Sequence, residues 1–152
     1  MAVSGKLNTE IGIETPAEKF FSFFAKQLQH VQNITDRIHE AKVHQGHDWH
    51  HHDSVKEWTF TVEGTVTTCK ENIEFIDLEN KSMTFNLFDG DVTQLYKILK
   101  INLQVIDKDD SGAIANCTVE YEKINESVEA PSGYLDYVTK VIKDADHHLL
   151  VA

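Results

Sequence analysis

Histidine and acidic side chains cluster in one short segment, which makes it the first candidate for chemistry. The histidines there are His44, His47, His50, His51 and His52, with Asp48 and Asp53 among them. Imidazole and carboxylate groups are ligands for Zn²⁺, Cu²⁺ and Ni²⁺. Structural zinc sites use rigid spacings and usually cysteine, so we predict no physiological metal site here. Two interpretations of the segment are left: weak, adventitious metal binding, or a solvated polar loop. The candidate adventitious ligands are His47, His50, His51 and His52.

Acid–base chemistry in a core needs an inward-facing ionisable group, and the strand pattern offers Glu71. In an alternating strand Glu71 has the parity of Cys69 and Ile73, so its carboxylate could point inward, beside Tyr121. With a pKa tuned by burial it would be a weak general acid or base. It could instead orient a ligand hydroxyl, or be turned to solvent by a strand irregularity. Because the predicted inward faces of the last two strands carry no Lys, Asp or Glu, we predict no catalytic residue.

Composition limits the classes of partner. The chain has 152 residues and a net charge of −11, which fits one domain over residues 1–152. That charge argues against nucleic acid and against anionic membrane surfaces, and no apolar run is long enough for membrane insertion. No secretory signal precedes the domain, and the two cysteines, Cys69 and Cys117, fit a reducing compartment. No phosphate-binding loop or nucleophile elbow is present, so we expect no cofactor.

The elements that must position these groups follow from hydrophobic periodicity. Period-two patterns predict strands over about 4–14, 38–44, 55–63, 66–76, 82–88, 95–107 and 113–123. In these strands, Trp58, Phe60 and Val62 share one face, and Cys69, Ile73 and Phe75 share another. The loop 108–112 reads as a hairpin. Hairpin-length loops make the sheet antiparallel.

Helical signals flank the strands. Thr15 is predicted as an N-cap with Pro16 at the first helical position, followed by an aromatic helix and a second short helix over about 28–33. In the aromatic helix Phe20, Phe23 and Phe24 can share a face; core packing and lining of a cavity are both open for them. An apolar i+3/i+4 stripe predicts a helix over about 132–150, roughly 28 Å long.

A helix that long needs a long groove, and a curved sheet supplies one. We therefore predict an α+β fold in which a seven-stranded curved antiparallel sheet closes over a long C-terminal helix, with two short helices in a V. The large apolar groups on the inward faces fit either a solid core or a pocket, because both bury the same residue types.

Several stretches resemble the major latex protein branch of the Bet v 1 / pathogenesis-related class 10 superfamily. These stretches are 5–7, 54–58, 88–92, 119–126 and 142–149, and their order and spacing span the chain. The resemblance implies the helix-grip fold and an internal cavity that binds small hydrophobic or amphipathic ligands such as steroids, flavonoids, hormones or fatty acids. It also implies a cytoplasmic plant protein linked to defence and stress. The loop 46–54 departs from the superfamily, since it keeps only Gly46 of a glycine-rich loop.

With this resemblance we predict a non-enzymatic carrier whose affinity comes mainly from apolar burial. The predicted ligand-binding residues are Phe24, Ile38, Trp58, Phe60, Cys69, Glu71, Met83, Phe85, Leu87, Leu99, Ile101, Leu103, Cys117, Val119, Tyr121, Tyr134, Leu135, Val138 and Ile142. Among them, Glu71, Tyr121 and Tyr134 would orient the ligand. Trp49 would cap the entrance or anchor its loop. The alternatives are a cavity-based enzyme of condensation or isomerisation, and a hormone receptor gated by the loop 88–92.

Overall fold

The computed structural model describes residues 3–46, 48–50, 53–108 and 112–151. Its strands are β1 (Ser4–Ile13), β2 (Ile38–Gln45), β3 (Val55–Val62), β4 (Thr65–Asp77), β5 (Ser82–Phe88), β6 (Tyr96–Asp107) and β7 (Ala113–Lys123). Its α-helices are α1 (Ala17–Lys26) and α2 (Ser132–Val151), and two 3₁₀ helices cover Leu28–Asn33 and Gly90–Gln94. The predicted elements are confirmed, but the predicted turn at 89–91 is the start of the second 3₁₀ helix.

The seven strands form one antiparallel sheet in the order β1-β7-β6-β5-β4-β3-β2. Consecutive strands from β2 to β7 are neighbours, as short connections require, and β1 closes the other edge against β7. The sheet curves around α2, which packs on β1, β3 and β7. The predicted α+β helix-grip architecture is therefore confirmed. The tip of the predicted hairpin 108–112 lies outside the described residues, although Asp107 pairs with Ala113 at its base.

Alternation places the core correctly along most strands. In β3 every second side chain, including Trp58, Phe60 and Val62, is buried. β4 departs from its predicted alternation, because its register with β5 shifts between Ile73 and Phe75. A bulge of this kind turns the following side chains over. The prediction that Phe75 faces inward is wrong: it is 50% exposed, whereas Ile73 is buried.

The start of α1 also differs from its prediction. Pro16, with φ −56° and ψ 144°, occupies the N-cap position, and Thr15 does not cap the helix. Instead, the Thr15 hydroxyl donates to the Asp146 carboxylate at 2.6 Å, and the Thr15 amide donates to the same carboxylate at 2.9 Å. This hydrogen bonding to a charged acceptor on α2 takes the place of a local cap. It connects the junction between β1 and α1 to α2.

Candidate functional site: an apolar cavity with a buried ion pair

An internal cavity of about 100 Å³ lies between the concave face of the sheet and α2. Nearly all of its lining side chains are apolar and buried. They are Phe24, Leu28, Val31, Ile38, Trp58, Phe60, Cys69, Glu71, Phe85, Leu87, Ile101, Leu103, Cys117, Tyr137, Val138, Val141 and Ile142.

Most of the predicted binding residues line this cavity, and a minority do not. Those in the wall are Phe24, Ile38, Trp58, Phe60, Cys69, Glu71, Phe85, Leu87, Ile101, Leu103, Cys117, Val138 and Ile142. Met83, Leu99 and Val119 are buried in the core but do not line the cavity, and Tyr121 and Leu135 are partly buried and pack against the core. Tyr134 lines a separate outer recess instead. Their roles in binding stay predictions.

Four wall residues were not anticipated: Leu28, Val31, Tyr137 and Val141. Tyr137 and Val141 continue the i+3/i+4 stripe of α2 from Tyr134 and Val138, so the helical period could have identified them. Leu28 and Val31 lie three residues apart on the first 3₁₀ helix, where side chains at i and i+3 point the same way. Sequence alone did not indicate that this short helix closes one end of the cavity.

Glu71 is the charged member of the described wall, and it forms a buried ion pair with Lys56. The Lys56 ammonium lies 3.0 Å from Glu71 Oε2, and these side chains are 0% and 4% exposed. The Trp58 indole N–H donates to Glu71 Oε1 at 3.1 Å. Glu71 Oε2 and Lys56 Nζ are in ion-pair contact, but neither atom has a hydrogen-bond partner of good geometry. The Glu71 carboxylate therefore points inward, as its parity in the strand predicted, and it is not turned to solvent.

Lys56 was not among the predicted site residues. It has the same parity as Trp58 and Phe60, and Lys56 pairs directly with Glu71 in the β3–β4 register. The two side chains therefore lie side by side on the inner face of adjacent strands. A lysine and a glutamate with inward parity on predicted neighbouring strands was the signal that could have identified this pair.

Burial controls the ionisation of the groups around the cavity. Burial raises the pKa of Glu71, and the neighbouring Lys56 and the Trp58 hydrogen bond oppose that rise. Burial raises the pKa of the Cys69 thiol, with Glu71 adding to the effect, and burial raises that of Cys117 to about 12. The pKa of Tyr137 also rises, chiefly through burial. These thiols and this phenol are therefore neutral and are poor nucleophiles or bases.

Aromatic rings separate the cavity from a larger outer recess of about 770 Å³. The Phe60 ring lies 4.9 Å from the Tyr137 ring and 6.1 Å from the Tyr134 ring, measured between centroids. Tyr134 in turn meets Tyr96 edge-on at 6.3 Å. The recess is more polar than the cavity, with Glu63 and Asp91 in its wall. The partition between the two spaces is thus built of side chains alone.

Two described residues of the histidine-rich loop, Trp49 and His50, contact residues of the cavity wall. The Leu28 backbone N–H donates to His50 Nε2 at 3.0 Å, and Asp48 Oδ1 lies 3.4 Å from His50 Nδ1. Trp49 packs edge-on against Trp58, with centroids 6.1 Å apart. Trp49 therefore anchors the loop onto a wall residue. Burial lowers the pKa of His50, an effect that Asp48 opposes.

The described residues contain no group of three His, Cys, Asp or Glu side chains arranged to hold a metal ion. Of the four candidate adventitious ligands, His47, His51 and His52 lie outside the described residues. His50 uses Nε2 to accept a backbone hydrogen bond, which a metal would have to displace. In the part of the chain that the structure describes, no helix combines the length and apolar character needed to cross a membrane.

Comparisons with known proteins place this geometry in a family. The model for the pathogenesis-related protein Bet v 1 family matches residues 2–152. MLP-like protein 43 of Arabidopsis thaliana is 38% identical over 148 residues, covering 96% of this chain and 93% of the relative. MLP-like protein 31 of the same plant is 36% identical over 151 residues, covering 98% of this chain and 88% of the relative.

Solved structures agree with the sequence relatives. Ginseng major latex-like protein 151 from Panax ginseng superposes with a TM-score of 0.90 at 32% identity, covering 97% of this chain and 98% of that one. Norcoclaurine synthase from Thalictrum flavum has a TM-score of 0.79 but 12% identity, covering 97% and 87%, so that likeness shows the fold alone. From the family model, the MLP-like relatives and the shared helix-grip architecture, we conclude that this chain belongs to the pathogenesis-related protein Bet v 1 family, as the resemblance in its sequence indicated.

Proposed function

We propose that this protein binds and carries small hydrophobic or amphipathic molecules in the internal cavity. The observation that carries the proposal is the unfilled apolar space within the core, bounded by buried side chains from the sheet, both α-helices and the first 3₁₀ helix. Apolar interiors normally pack to high density, and an unfilled apolar space loses contacts that a ligand can restore. Burial of apolar ligand surface would supply about 25 cal/mol per Å² before ordering costs.

The size of the cavity sets how the ligand must enter and fit. An apolar cavity of about 150 Å³ accommodates a benzene ring, so the 100 Å³ here fits at most one small ring. Drug-sized ligands occupy pockets of about 300–1,000 Å³. A steroid or flavonoid therefore requires Phe60, Tyr134 and Tyr137 to move and join the cavity to the outer recess. Rotation of these three rings breaks no hydrogen bond of the sheet.

Enzymatic condensation or isomerisation is the second candidate, and Glu71 is the observation that favours it. Its carboxylate is buried in a cavity wall and has a raised pKa, as a general acid requires. Binding is the better supported function because the Glu71 carboxylate is paired with the Lys56 ammonium, and the other described wall residues offer no carboxylate, imidazole or ammonium as a second acid or base. The nearby thiols and Tyr137 are neutral. A cytoplasmic location and a role in defence or stress belong to the same proposal and rest on the family.

A fluorophore titration tests the carrier function. N-phenyl-1-naphthylamine is uncharged and fluoresces in apolar surroundings, and we expect it to bind near 1:1. Leu103→Trp fills the cavity from β6, so it should weaken binding at least about tenfold, the loss expected from excluding roughly 60 Å² of apolar ligand surface. Ile106→Trp is the matched control, because Ile106 lies on the same strand but is 40% exposed.

The control should bind like the wild type. An absent fluorescence change, or equal binding by Leu103→Trp and Ile106→Trp, would contradict an internal site. Displacement of the fluorophore by a steroid or a fatty acid would then rank the ligand classes. Conversion of a displaced ligand to a new compound, followed by chromatography, would favour the enzyme instead.

A further inference from the structure

Glu71 is the charged residue in the wall of an otherwise apolar cavity. The other wall residues are aliphatic or aromatic side chains and two thiols. A ligand that fills the cavity therefore meets one strong acceptor, and the position of that acceptor is fixed by two neighbours. The Trp58 indole holds Oε1 at 3.1 Å, and Lys56 holds Oε2 at 3.0 Å.

The Glu71 carboxylate can accept further hydrogen bonds. A carboxylate offers about four lone-pair sites, and the contacts of Glu71 use two of them. Oε2 is fully buried and lacks a hydrogen-bond partner of good geometry, which is a costly state for a buried oxygen. A donor entering from the cavity would satisfy it. Lys56 does not line the cavity, so a ligand meets the pair through the Glu71 carboxylate.

Charge decides which donor fits. The Lys56–Glu71 pair is neutral as a unit, and the pair is buried where charges are weakly screened. A hydroxyl donates a hydrogen bond and leaves the unit neutral. A ligand carboxylate would place a second anion against Glu71, whereas a ligand ammonium would leave two cations sharing one carboxylate. Both charged ligands also lose their own hydration on entering.

We propose that the Lys56–Glu71 pair is a head-group site that selects ligands with a neutral hydroxyl, alcohols and phenols, over carboxylates and amines. This inference rests on the proposed carrier function and narrows it. The chemistry of the site favours a ring compound with a hydroxyl group, and it disfavours ionised fatty acids. The selection comes from β3 and β4, whose register places the two charges side by side.

Single-ring probes, which carry each head group on the smallest aromatic ring, test the selection. They are benzyl alcohol, benzoate, benzylamine and toluene, compared at about pH 7.5, where benzoate is ionised and benzylamine is protonated. The readout is the NMR signal of the Trp58 indole N–H, which reports on Glu71 directly. A Trp49→Phe variant assigns it, because the chain has two tryptophans. We expect benzyl alcohol to bind at least about tenfold more tightly than either ion, the effect of one hydrogen bond to a charged group.

A double variant, Lys56→Met with Glu71→Leu, keeps an apolar wall of similar volume without leaving a buried charge. In this variant the ring probes should still bind, but the preference of the alcohol over toluene should fall to within about twofold. The matched control replaces the exposed pair Lys97 and Glu122 in the same way, and its preferences should equal those of the wild type.

The outcomes separate the two proposals. If toluene and benzyl alcohol bind, but benzoate binds as tightly as benzyl alcohol or more tightly, the head-group inference is overturned. The carrier function would remain intact. An unchanged alcohol preference in the Lys56→Met/Glu71→Leu variant would overturn it as well. If none of the four probes, toluene included, perturbs the spectrum, the carrier function falls and the head-group site falls with it.

Discussion

Breaking the buried ion pair should cost far more stability than removing it. Glu71→Gln takes away the anion and leaves the Lys56 ammonium fully buried beside a neutral amide. An uncompensated buried charge of this kind costs about 3–5 kcal/mol in the free energy of unfolding. With a urea m-value of about 2 kcal/mol/M, the midpoint should fall by about 1.5–2.5 M. The loss is a large part of the stability of a domain with about 5–15 kcal/mol in total.

The paired replacement should behave differently. Lys56→Met together with Glu71→Leu removes both charges and their desolvation costs but leaves the Trp58 indole N–H without its acceptor, so its unfolding free energy should lie within about 2 kcal/mol of that of the wild type. The exposed pair provides the control, because Lys97 and Glu122 lie 3.8 Å apart with side chains 62% and 32% exposed. Glu122→Gln should change the free energy by no more than about 1 kcal/mol.

Urea unfolding followed by circular dichroism measures all four proteins. Circular dichroism is preferable to tryptophan fluorescence because Trp58 contacts Glu71 directly. The reasoning would be refuted if Glu71→Gln unfolded within 1 kcal/mol of the wild type, since Lys56 would then reach water. It would also be refuted if the double variant were as unstable as the single one, because the apolar surroundings would then not accept apolar side chains.

Three further outcomes follow from the described contacts. Thr15→Val removes the donor to the Asp146 carboxylate at a fully buried position, and should lower the free energy of unfolding by about 1–3 kcal/mol in the same urea assay. Because His50 has a lowered pKa and accepts from the Leu28 N–H, wild-type stability should fall as pH drops below about 6.5 and level off below the folded-state pKa. His50→Gln keeps an acceptor without titrating, so a thermal-denaturation series should show a shallower fall; an identical fall would assign the effect elsewhere. Both thiols are buried with raised pKa values, so a chromogenic disulfide reagent at about pH 8 should label neither in the folded protein and both in urea, and fast native labelling would contradict their burial.

Local pattern predicts the elements of this fold because each follows from period and turn chemistry. The alternation of β6 and β7 places Leu99, Ile101 and Cys117 inward without knowledge of the rest of the chain. Alternation predicts the wrong face for Phe75, because the bulge that exposes this side chain comes from the pairing of β4 with β5 and not from β4 itself. Thr15 fails for a similar reason, because its partner, Asp146, lies 131 residues away.

The candidate site is less predictable from the sequence because the cavity depends on how far apart two surfaces lie, and these surfaces come from distant parts of the chain. Side chains such as Phe85 and Val138 face inward in either a filled or an unfilled core, and the cavity depends on the separation of the sheet and α2. Lys56 was within reach of the sequence, since its parity matches that of Trp58. Its own pattern could not establish that it is buried, because burying a lone lysine is costly and a partner on the adjacent strand is needed to offset that cost.

The central claim, that the cavity in the core holds the ligand, is tested most directly by a crystal structure of the protein with benzyl alcohol. The account predicts density for the ring between β3, β4, β6 and α2, with its hydroxyl within hydrogen-bond distance of Glu71 Oε2 and Lys56 still paired with the carboxylate. Density for the ring only on the outer surface, with the cavity closed by its own side chains, would contradict it.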